Sequence, residues 1–263
     1  KTYLAEKTGI EPKRIRTVSI MPCTAKKDEA ARPQLHTNSI PDTDVVLTVR
    51  ELARLLRRCG LDLSAIEPEP FDDPYMSDST GAAAIFGVTG GVMEAAVRTV
   101  YAVLNGKELE GVDVYPVRGE AQLREADVDL GEGNGSIKVA ICHGLAAARK
   151  LAEQAVAGTS PYTFIEVMAC PGGCVDGGGT CRVKGDYHPH AADRTKGLYT
   201  LDKAMPRRQS HRNPQITQLY DTFLGEPNSH KAHDLLHTHY SDRSTVQSKS
   251  IAATKEKLTL TDI

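Results

Sequence analysis

The stretch Ile165–Cys181, IEVMACPGGCVDGGGTC, constrains this chain more than any other. A run rich in β-branched and aromatic residues, Tyr162–Met168, stops at Ala169-Cys170. It gives way to Pro171, a second thiol at Cys174, and five glycines within eight residues (Gly172, Gly173, Gly177, Gly178, Gly179). Glycine loses more backbone freedom on folding than any other residue. A chain tolerates such a run where backbone must approach something closely or adopt positive φ. Thiols on either side of Pro171-Gly172-Gly173 point to a metal cluster as the object approached, because iron–sulfur clusters are held by thiolates and tuned by backbone N–H groups.

An earlier stretch has the same form. Arg16–Cys23, RTVSIMPC, is again a strand pattern ending in Met-x-Cys, with Met21-Pro22-Cys23 echoing Met168-Ala169-Cys170. Two strands of one α/β sheet with thiols at their carboxyl ends would converge on a single crevice. Lys26 follows Cys23 by about one helical turn, so its ammonium can point at the same place. The alternative for three thiols is a structural zinc site, whose usual signature is paired Cys-x2–4-Cys knuckles. Here Cys23 stands alone, and zinc gives no reason for three consecutive glycines after Cys174.

The totals exclude other classes. With 32 Lys+Arg against 34 Asp+Glu, the net charge of −2 argues neither for nucleic acid nor for an anionic membrane surface. No apolar run reaches the length of a membrane span. Six cysteines in 263 residues are too few for a disulfide scaffold, and Cys59 and Cys142 read as small core residues.

Taken in order, the chain alternates strands and helices, which predicts an α/β fold of mixed sheets flanked by helices. Lys1–Thr8 reads as a helix stopped by Gly9, and Ala25–Ala31 as a short helix. Thr48 and Glu51 form a capping box opening a helix over Val49–Cys59, with Leu52, Leu55, Leu56 and Cys59 on one face. Glu67–Ser79 reads as a loop. Thr89-Gly90-Gly91 opens a helix with an apolar stripe of Val92, Ala96, Val100, Val103 and Leu104. The Gly90-Gly91 pair is either an anion-binding turn or a close-packing site, and the absence of a following Lys-Ser or Lys-Thr favours packing. Val112–Val117 and Ser136–Cys142 read as strands, Gly144–Ala157 as a helix. Beyond Cys181 come a polar stretch, Arg182–His190, and helices at Ala192–Lys203, Pro214–Leu224 and His230–Leu236. His233 and His237 stand four apart on the last of these and read as packing or capping residues. Ser241–Ile263 reads as a polar tail.

MPCTAKKDE and MACPGGCVDGGG resemble the second and third signature motifs of the iron-only ([FeFe]) hydrogenases. DTDVVLTVRELARLL, STGAAAIFGVTGGVMEAAVRT and SHRNPQITQLYDTFLGEP resemble further segments of the same family. The resemblance implies the hydrogenase fold around a six-iron centre, divided as a partial large-subunit-like domain (1–182), a small-subunit-like helical wrap (188–240) and the tail (241–263). It implies that Cys23, Cys170 and Cys174 hold a [4Fe–4S] cluster, with the Cys174 sulfur bridging to a two-iron unit carrying carbonyl, cyanide and a dithiolate. It further implies that Lys26 donates to a cyanide, that Met21 and Met168 pack on the two-iron unit, and that Phe86 forms part of its apolar wall. Glu29 either orients Lys26 or is a surface carboxylate.

The family's first signature, Thr-Ser-Cys-Cys-Pro, which supplies the fourth thiolate, does not occur here. The chain is therefore expected to be the carboxyl-terminal portion of a catalytic domain. Where the family continues Gly-Gly-Gly-Gln-Pro, this chain has Gly179-Thr180-Cys181. The implied reaction interconverts protons, electrons and H2. Implied partners are ferredoxin or a flavin/iron–sulfur subunit and the maturation factors, in the cytoplasm of an anaerobic prokaryote. The other class carrying these motifs is the hydrogenase-like protein of cytosolic cluster assembly, which lacks the two-iron unit. The intact Cys170-Pro-Gly-Gly-Cys174 and Thr89–Ala96 favour the enzyme, and a sensory, low-turnover hydrogenase carries the same residues.

Overall fold

The computed structural model describes residues 1–72, 76–131, 133–181 and 190–241. In chain order the elements are α1 (Tyr3–Thr8), β1 (Val18–Met21), α2 (Lys26–Ala30), β2 (His36–Thr37), β3 (Ile40–Pro41), β4 (Val45–Thr48) and α3 (Val49–Arg58). There follow α4 (Gly81–Ile85), α5 (Gly91–Asn105), β5 (Leu123–Asp129), β6 (Ser136–His143), α6 (Leu145–Val156) and β7 (Phe164–Met168). The carboxyl-terminal helices are α7 (Ala191–Ala204), α8 (Pro214–Leu219), continued as a π turn over Tyr220–Leu224, and α9 (His230–Leu236). Residues Lys1–Phe223 form one compact unit; a second begins at Leu224, and its described part contains α9. The expected polar stretch Arg182–His190 and the tail lie almost entirely outside the described residues.

The architecture is α/β with mixed sheets, as the alternation predicts. The main sheet has the order β5-β6-β7, antiparallel on one side of β6 and parallel on the other. Alternate side chains of a strand face opposite ways, and β6 uses this to build two cores. Val139 and Ile141 join Met93, Val97, Val114, Val117, Ala126 and Val128 on the α5 side. Ala140 and Cys142 join Ala147 and Leu151 on the α6 side. Cys142 is fully buried, as expected of a small core residue.

β1 pairs in parallel with β4 in a separate two-stranded sheet. The strands leading to Cys23 and Cys170 therefore do not share a sheet, contrary to the expectation. β1 and β7 never exchange hydrogen bonds, and another contact has to bring their ends together.

Three further expectations are corrected. Val112–Val117 is not a strand: Gly111 and Val112 both have positive φ (76° and 49°), and Tyr115–Val117 is a 3-10 turn containing Pro116. The strand is Leu123–Asp129, whose sequence LREADVD hides its apolar alternation because Ala126 and Val128 are the buried positions among charged ones. Cys59 is exposed, as is Leu55, so α3 turns only Leu52 and Leu56 partly inward. On α5, Val100, Val103 and Leu104 are exposed, while Met93, Glu94, Ala95, Val97 and Arg98 are buried.

The reversal on α5 has an electrostatic cause. Arg98 makes a bidentate pair with Asp202 of α7 (both contacts 2.9 Å) and a third bond to Glu94 (2.6 Å), and all three residues are 0% exposed. Arg118 bonds Glu94 (2.6 and 2.8 Å) and Asp113 (2.7 Å); Arg208 bonds Asp113 (2.6 Å) and Asp202 (2.5 Å). Three guanidiniums and three carboxylates thus close a neutral network joining α5, the 112–118 segment, α7 and residue 208. Planar forks matched to carboxylates are the geometry in which buried ion pairs recover most of their desolvation cost. Gly81 lies against this network with no space for a side chain: an added Cβ would sit 2.1 Å from an Asp202 oxygen.

Burial pushes the Asp113 carboxyl up, but hydrogen bonds and charge from Arg208 and Arg118 outweigh it and bring it down to about 2. Asp202 is lowered in the same way by Arg98 and Arg208, against burial. A depressed carboxylate binds protons more weakly folded than unfolded, so its stabilisation is present above the ordinary value of 3.8 and lost as pH falls from there toward 2. Urea midpoints should therefore fall as pH is lowered from about 4 to about 2, and Asp113→Asn should show a shallower fall. Equal slopes would contradict the assignment. Asp202→Ala, which leaves three guanidiniums to two carboxylates in the network, should cost about 3–5 kcal/mol at neutral pH.

Candidate metal centre

The two thiol-bearing turns meet through backbone. After β1, Pro22 leads to Cys23, and the carbonyl of Pro22 accepts from Gly179 N at 2.9 Å. On the next elements, Arg50 N donates to Gly179 O (3.3 Å) and the Arg50 guanidinium to Gly178 O (2.8 Å). On the opposite side, the turn between α4 and α5 grips the same loop: Thr89 N donates to Gly172 O (3.0 Å), and Val175 N to Gly87 O (2.9 Å). Arg194 of α7 donates to Val175 O (3.0 Å) and Cys181 O (3.2 Å).

The glycines are what allow this clamp. A Cβ on Gly177 would stand 2.1 Å from Pro22 O, and one on Gly179 would stand 2.9 Å from the Thr48 side chain. The object these two approach is therefore the neighbouring backbone and Thr48, not a metal.

The third contact involves Glu166 of β7, two residues before Met168. Its carboxylate accepts from Gly90 N (2.5 Å) and Met93 N (2.7 Å), at the start of the 15-residue α5. The Gly90-Gly91 turn is thus an anion site filled by the protein's own carboxylate, favoured by the partial positive charge of a helix N-terminus. It is a close-packing site as well, since a Cβ on Gly91 would lie 1.7 Å from Ile85 O. Burial pushes the Glu166 carboxyl up, opposed by the N–H groups of Gly90, Met93 and Val92 and by the Arg124 charge. Its sequence neighbours gave no sign of this role; an acid inside an otherwise apolar strand is the signal that was available.

Around Cys174 the expected thiols and cation share one field. Burial pushes the Cys174 thiol up, Cys170 and Cys23 push it further, and Lys26 pulls it down. Cys174 is nevertheless accessible from outside, while Cys23 and Cys170 are half-buried; crowding by the loop and an open approach to the sulfur coexist. Lys26 opens α2 and pairs with Glu29 at 2.8 Å, both about 41% exposed, an i,i+3 pair on the helix surface. Met21 and Met168 are the last residues of β1 and β7. Phe86 ends α4 and is 46% exposed.

A cavity of about 520 Å³ adjoins Cys174, lined in part by Pro22, Val49, Gly87, Cys181 and Leu198. Cys181 therefore shares an apolar cavity with Cys174. His233 and His237 lie on the exposed face of α9 with their Nδ1 atoms 2.7 Å apart.

The three thiols are not gathered tightly enough to share one zinc ion. Zinc–sulfur bonds of about 2.3 Å in a tetrahedron place sulfurs about 3.8 Å apart. Among the described residues, the group of ligand-type atoms mutually within 4.8 Å is Glu94, Asp113 and Asp202, and the three cysteines are more widely spaced. That acidic group is neutralised by Arg98, Arg118 and Arg208, so it serves the ion network.

Gly177→Ala should force the two cysteine turns apart, costing about 1–3 kcal/mol and lowering the iron bound per chain after anaerobic reconstitution. Gly178→Ala, whose Cβ would meet the movable Thr24 hydroxyl at 3.0 Å, should do markedly less. Equal losses from the two substitutions would show that the clamp is not what holds the thiols together.

Residues 1–178 match the family described as the iron only hydrogenase large subunit, C-terminal domain, and residues 189–243 match the iron hydrogenase small subunit. The chain is 47% identical over 243 residues to the NADP-reducing hydrogenase subunit HndD of Solidesulfovibrio fructosivorans, covering 92% of this chain and 41% of that protein. It is similar to the solved [FeFe]-hydrogenase HydA1 of Chlamydomonas reinhardtii, with 39% identity, a TM-score of 0.71, and coverage of 91% of this chain and 66% of that one. A cytosolic Fe-S cluster assembly factor of Xenopus tropicalis is also related, at 30% identity over 91% of this chain and 50% of that protein. The chain thus spans less than half of the hydrogenase relative named here. Two family matches following one another along it, and a fold shared with the solved hydrogenase, place this chain in the iron-only hydrogenase family.

Proposed function

We propose that this chain supplies three of the thiolates and one wall of the active site of an iron-only hydrogenase, which interconverts protons and electrons with H2. The observation that carries the reading is the backbone bond from Gly179 N to Pro22 O at 2.9 Å, which joins the turn of Cys23 to the loop of Cys170 and Cys174. Cys23, Cys170 and Cys174 would hold a [4Fe–4S] cluster, and Cys174 would also face the two-iron unit with its CO, CN and dithiolate ligands. When bound, the six-iron centre supplies the electron store and the place where protons and electrons combine.

The residues of this chain do the holding. Lys26, paired with Glu29, would turn its compact ammonium to a cyanide of the two-iron unit. Met21 and Met168 end the strands on either side, and Phe86 would add apolar surface. Glu166 pins β7 to α5 and so fixes the register of Met168 and Cys170. Residues 188–240 would act as the small-subunit-like wrap, with α7 already locked to α5 through Asp202 and Arg98.

The name of the HndD relative suggests that electrons pass between NADP and the cluster through other subunits; a ferredoxin is the simpler carrier. No helix among the described residues is long and apolar enough to cross a membrane. A cytoplasmic location belongs to this proposal through the family resemblance alone.

A second reading, cluster assembly without a two-iron unit, is supported by the 30% identity to the assembly factor. One experiment separates the two. The gene product containing this chain, made anaerobically with hydrogenase maturation factors, should show infrared bands of iron-bound CO and CN and evolve H2 from a reduced viologen. Cys174→Ala should abolish both. Lys26→Ala should lower two-iron loading and leave the four-iron paramagnetic signal intact. A protein that takes up the four-iron cluster and never the two-iron unit belongs to the assembly class.

A further inference from the structure

Four of the nine histidines fall within the ten residues His230–His239, in the sequence HKAHDLLHTH. Short histidine-rich tracts have the composition of metal-binding segments. Of these four, His233 and His237 are set against one another by the fold. α9 ends at Leu236, but the His237 N–H still donates to His233 O at 3.0 Å, so the two residues stay one turn apart although the His237 backbone is already extended. Their ring centroids are 4.7 Å apart with the planes at 87°, and their Nδ1 atoms face each other at 2.7 Å. Both residues are exposed, which removes the packing role. Their Nδ1 atoms meet each other and not a helix carbonyl, which removes the capping role. His36, His211 and His230, by contrast, each turn a ring nitrogen to an oxygen.

A neutral imidazole has one N–H and one lone pair. Two Nδ1 atoms in contact therefore share one proton, carried by one ring and accepted by the lone pair of the other. A divalent transition ion can take that place. The ring protonated at Nδ1 passes its proton by way of water to Nε2, and both Nδ1 lone pairs then point at the metal; no proton is lost and nothing is oxidised. Geometry selects the ion. With metal–nitrogen bonds of about 2.0–2.1 Å, two ligands at a right angle lie about 2.9 Å apart, and two at the tetrahedral angle about 3.3 Å apart. The observed 2.7 Å is nearer the first, the arrangement of square-planar and tetragonal nickel(II) and copper(II). Asp234 is engaged by His230 at 3.0 Å, and among the described residues no third histidine, cysteine or carboxylate atom completes the pair within 4.8 Å. Water fills the remaining positions. We propose that His233 and His237 form a two-imidazole site for a divalent ion of the nickel–copper class on the exposed face of α9, using none of the residues of the cysteine centre. An ion held by both rings closes a loop across the last turn of α9 and fastens that helix end.

The test uses the cluster-loaded gene product, kept anaerobic and free of any affinity tag, so that the cysteines are occupied. Nickel(II) held by nitrilotriacetate leaves two neighbouring positions open, the number and angle this pair would fill. The protein should be retained on an immobilised nickel–nitrilotriacetate support and should pass through the same support stripped of nickel. Calorimetric titration with Ni2+ should show a site weakened at least about tenfold by His233→Ala and by His237→Ala, each alone. His230→Ala, which removes the neighbouring ring paired with Asp234, should leave that affinity unchanged. X-ray absorption at the nickel edge should show nitrogen and oxygen neighbours.

Equal affinity for Ni2+ in the wild type, His233→Ala and His237→Ala overturns the proposal. So does a fall in His230→Ala as large as that in His233→Ala, which would make the tract a diffuse histidine surface binding an adventitious ion only. So does nickel bound through sulfur alone, which would place it at cysteines. The proposal does not rest on the hydrogenase reading: a gene product that takes up the four-iron cluster and never the two-iron unit serves the same test, so the two failures are distinguishable.

Discussion

The contact on which the site depends is the seating of the Cys174 loop against Pro22 on one side and Gly87–Thr89 on the other. β1 and β7 belong to different sheets, and no ladder holds their ends in register. The loop does so with a few backbone hydrogen bonds, each worth only about 1 kcal/mol net. Its specificity is steric: with Gly177 and Gly179 pressed against Pro22 and Thr48, few other arrangements of the two turns let the chain close. Interiors are packed too tightly to deform continuously, so a gap of one methyl at this joint displaces a whole turn.

A second layer of order comes from charge. A core built on Glu94, Arg98 and Asp202 is costly to desolvate and is acceptable only because every carboxylate of the network is matched by guanidinium donors, Arg208 Nε alone of its buried donors lacking a partner. What it gives is a fixed position for α7, which a purely apolar seam would leave free to slide. That position matters for the site, since α7 carries Arg194, which holds the backbone of Val175 and Cys181, and Leu198, which lines the cavity at Cys174. Tyr199, on the same helix, lies under Arg118 at 4.3 Å, and burial, reinforced by Glu94, raises its phenol to about 12. The ion network therefore acts on the cluster region through one rigid helix.

Local signals were readable where a single residue decides the outcome. The capping box at Thr48 and Glu51, the caps at Asn213 and Ser229 and the strand leading to Cys170 are all where the sequence puts them. What could not be read depends on partners far along the chain. The α5 stripe was assigned to its valines because Arg98 looks like a surface residue until Asp202, 104 positions later, meets it. β5 is not legible in the sequence because only two of its seven residues, Ala126 and Val128, are buried apolar ones, and the turn before it resembles a strand because Pro116 sits among valines. Cys59 was placed inside because α3 has an apolar stripe, yet the surface it faces is open.

The five glycines of the central loop also divide into two groups that the sequence alone does not separate. Gly173, Gly177, Gly178 and Gly179 each have a protein atom within 3.0 Å of the Cβ they lack. They are explained by the folding of the chain onto itself, with or without a metal. Gly172 differs: its φ is +71°, and an added Cβ would meet nothing within 4 Å. Neighbouring backbone therefore does not demand it. A left-handed residue without a steric neighbour costs a side chain roughly 1–2 kcal/mol, which asparagine often bears in turns. Gly172 instead lines a cavity with Pro171, His143 and Asp176, and what calls for glycine there is the left-handed backbone that turns the chain from Cys170 toward Cys174.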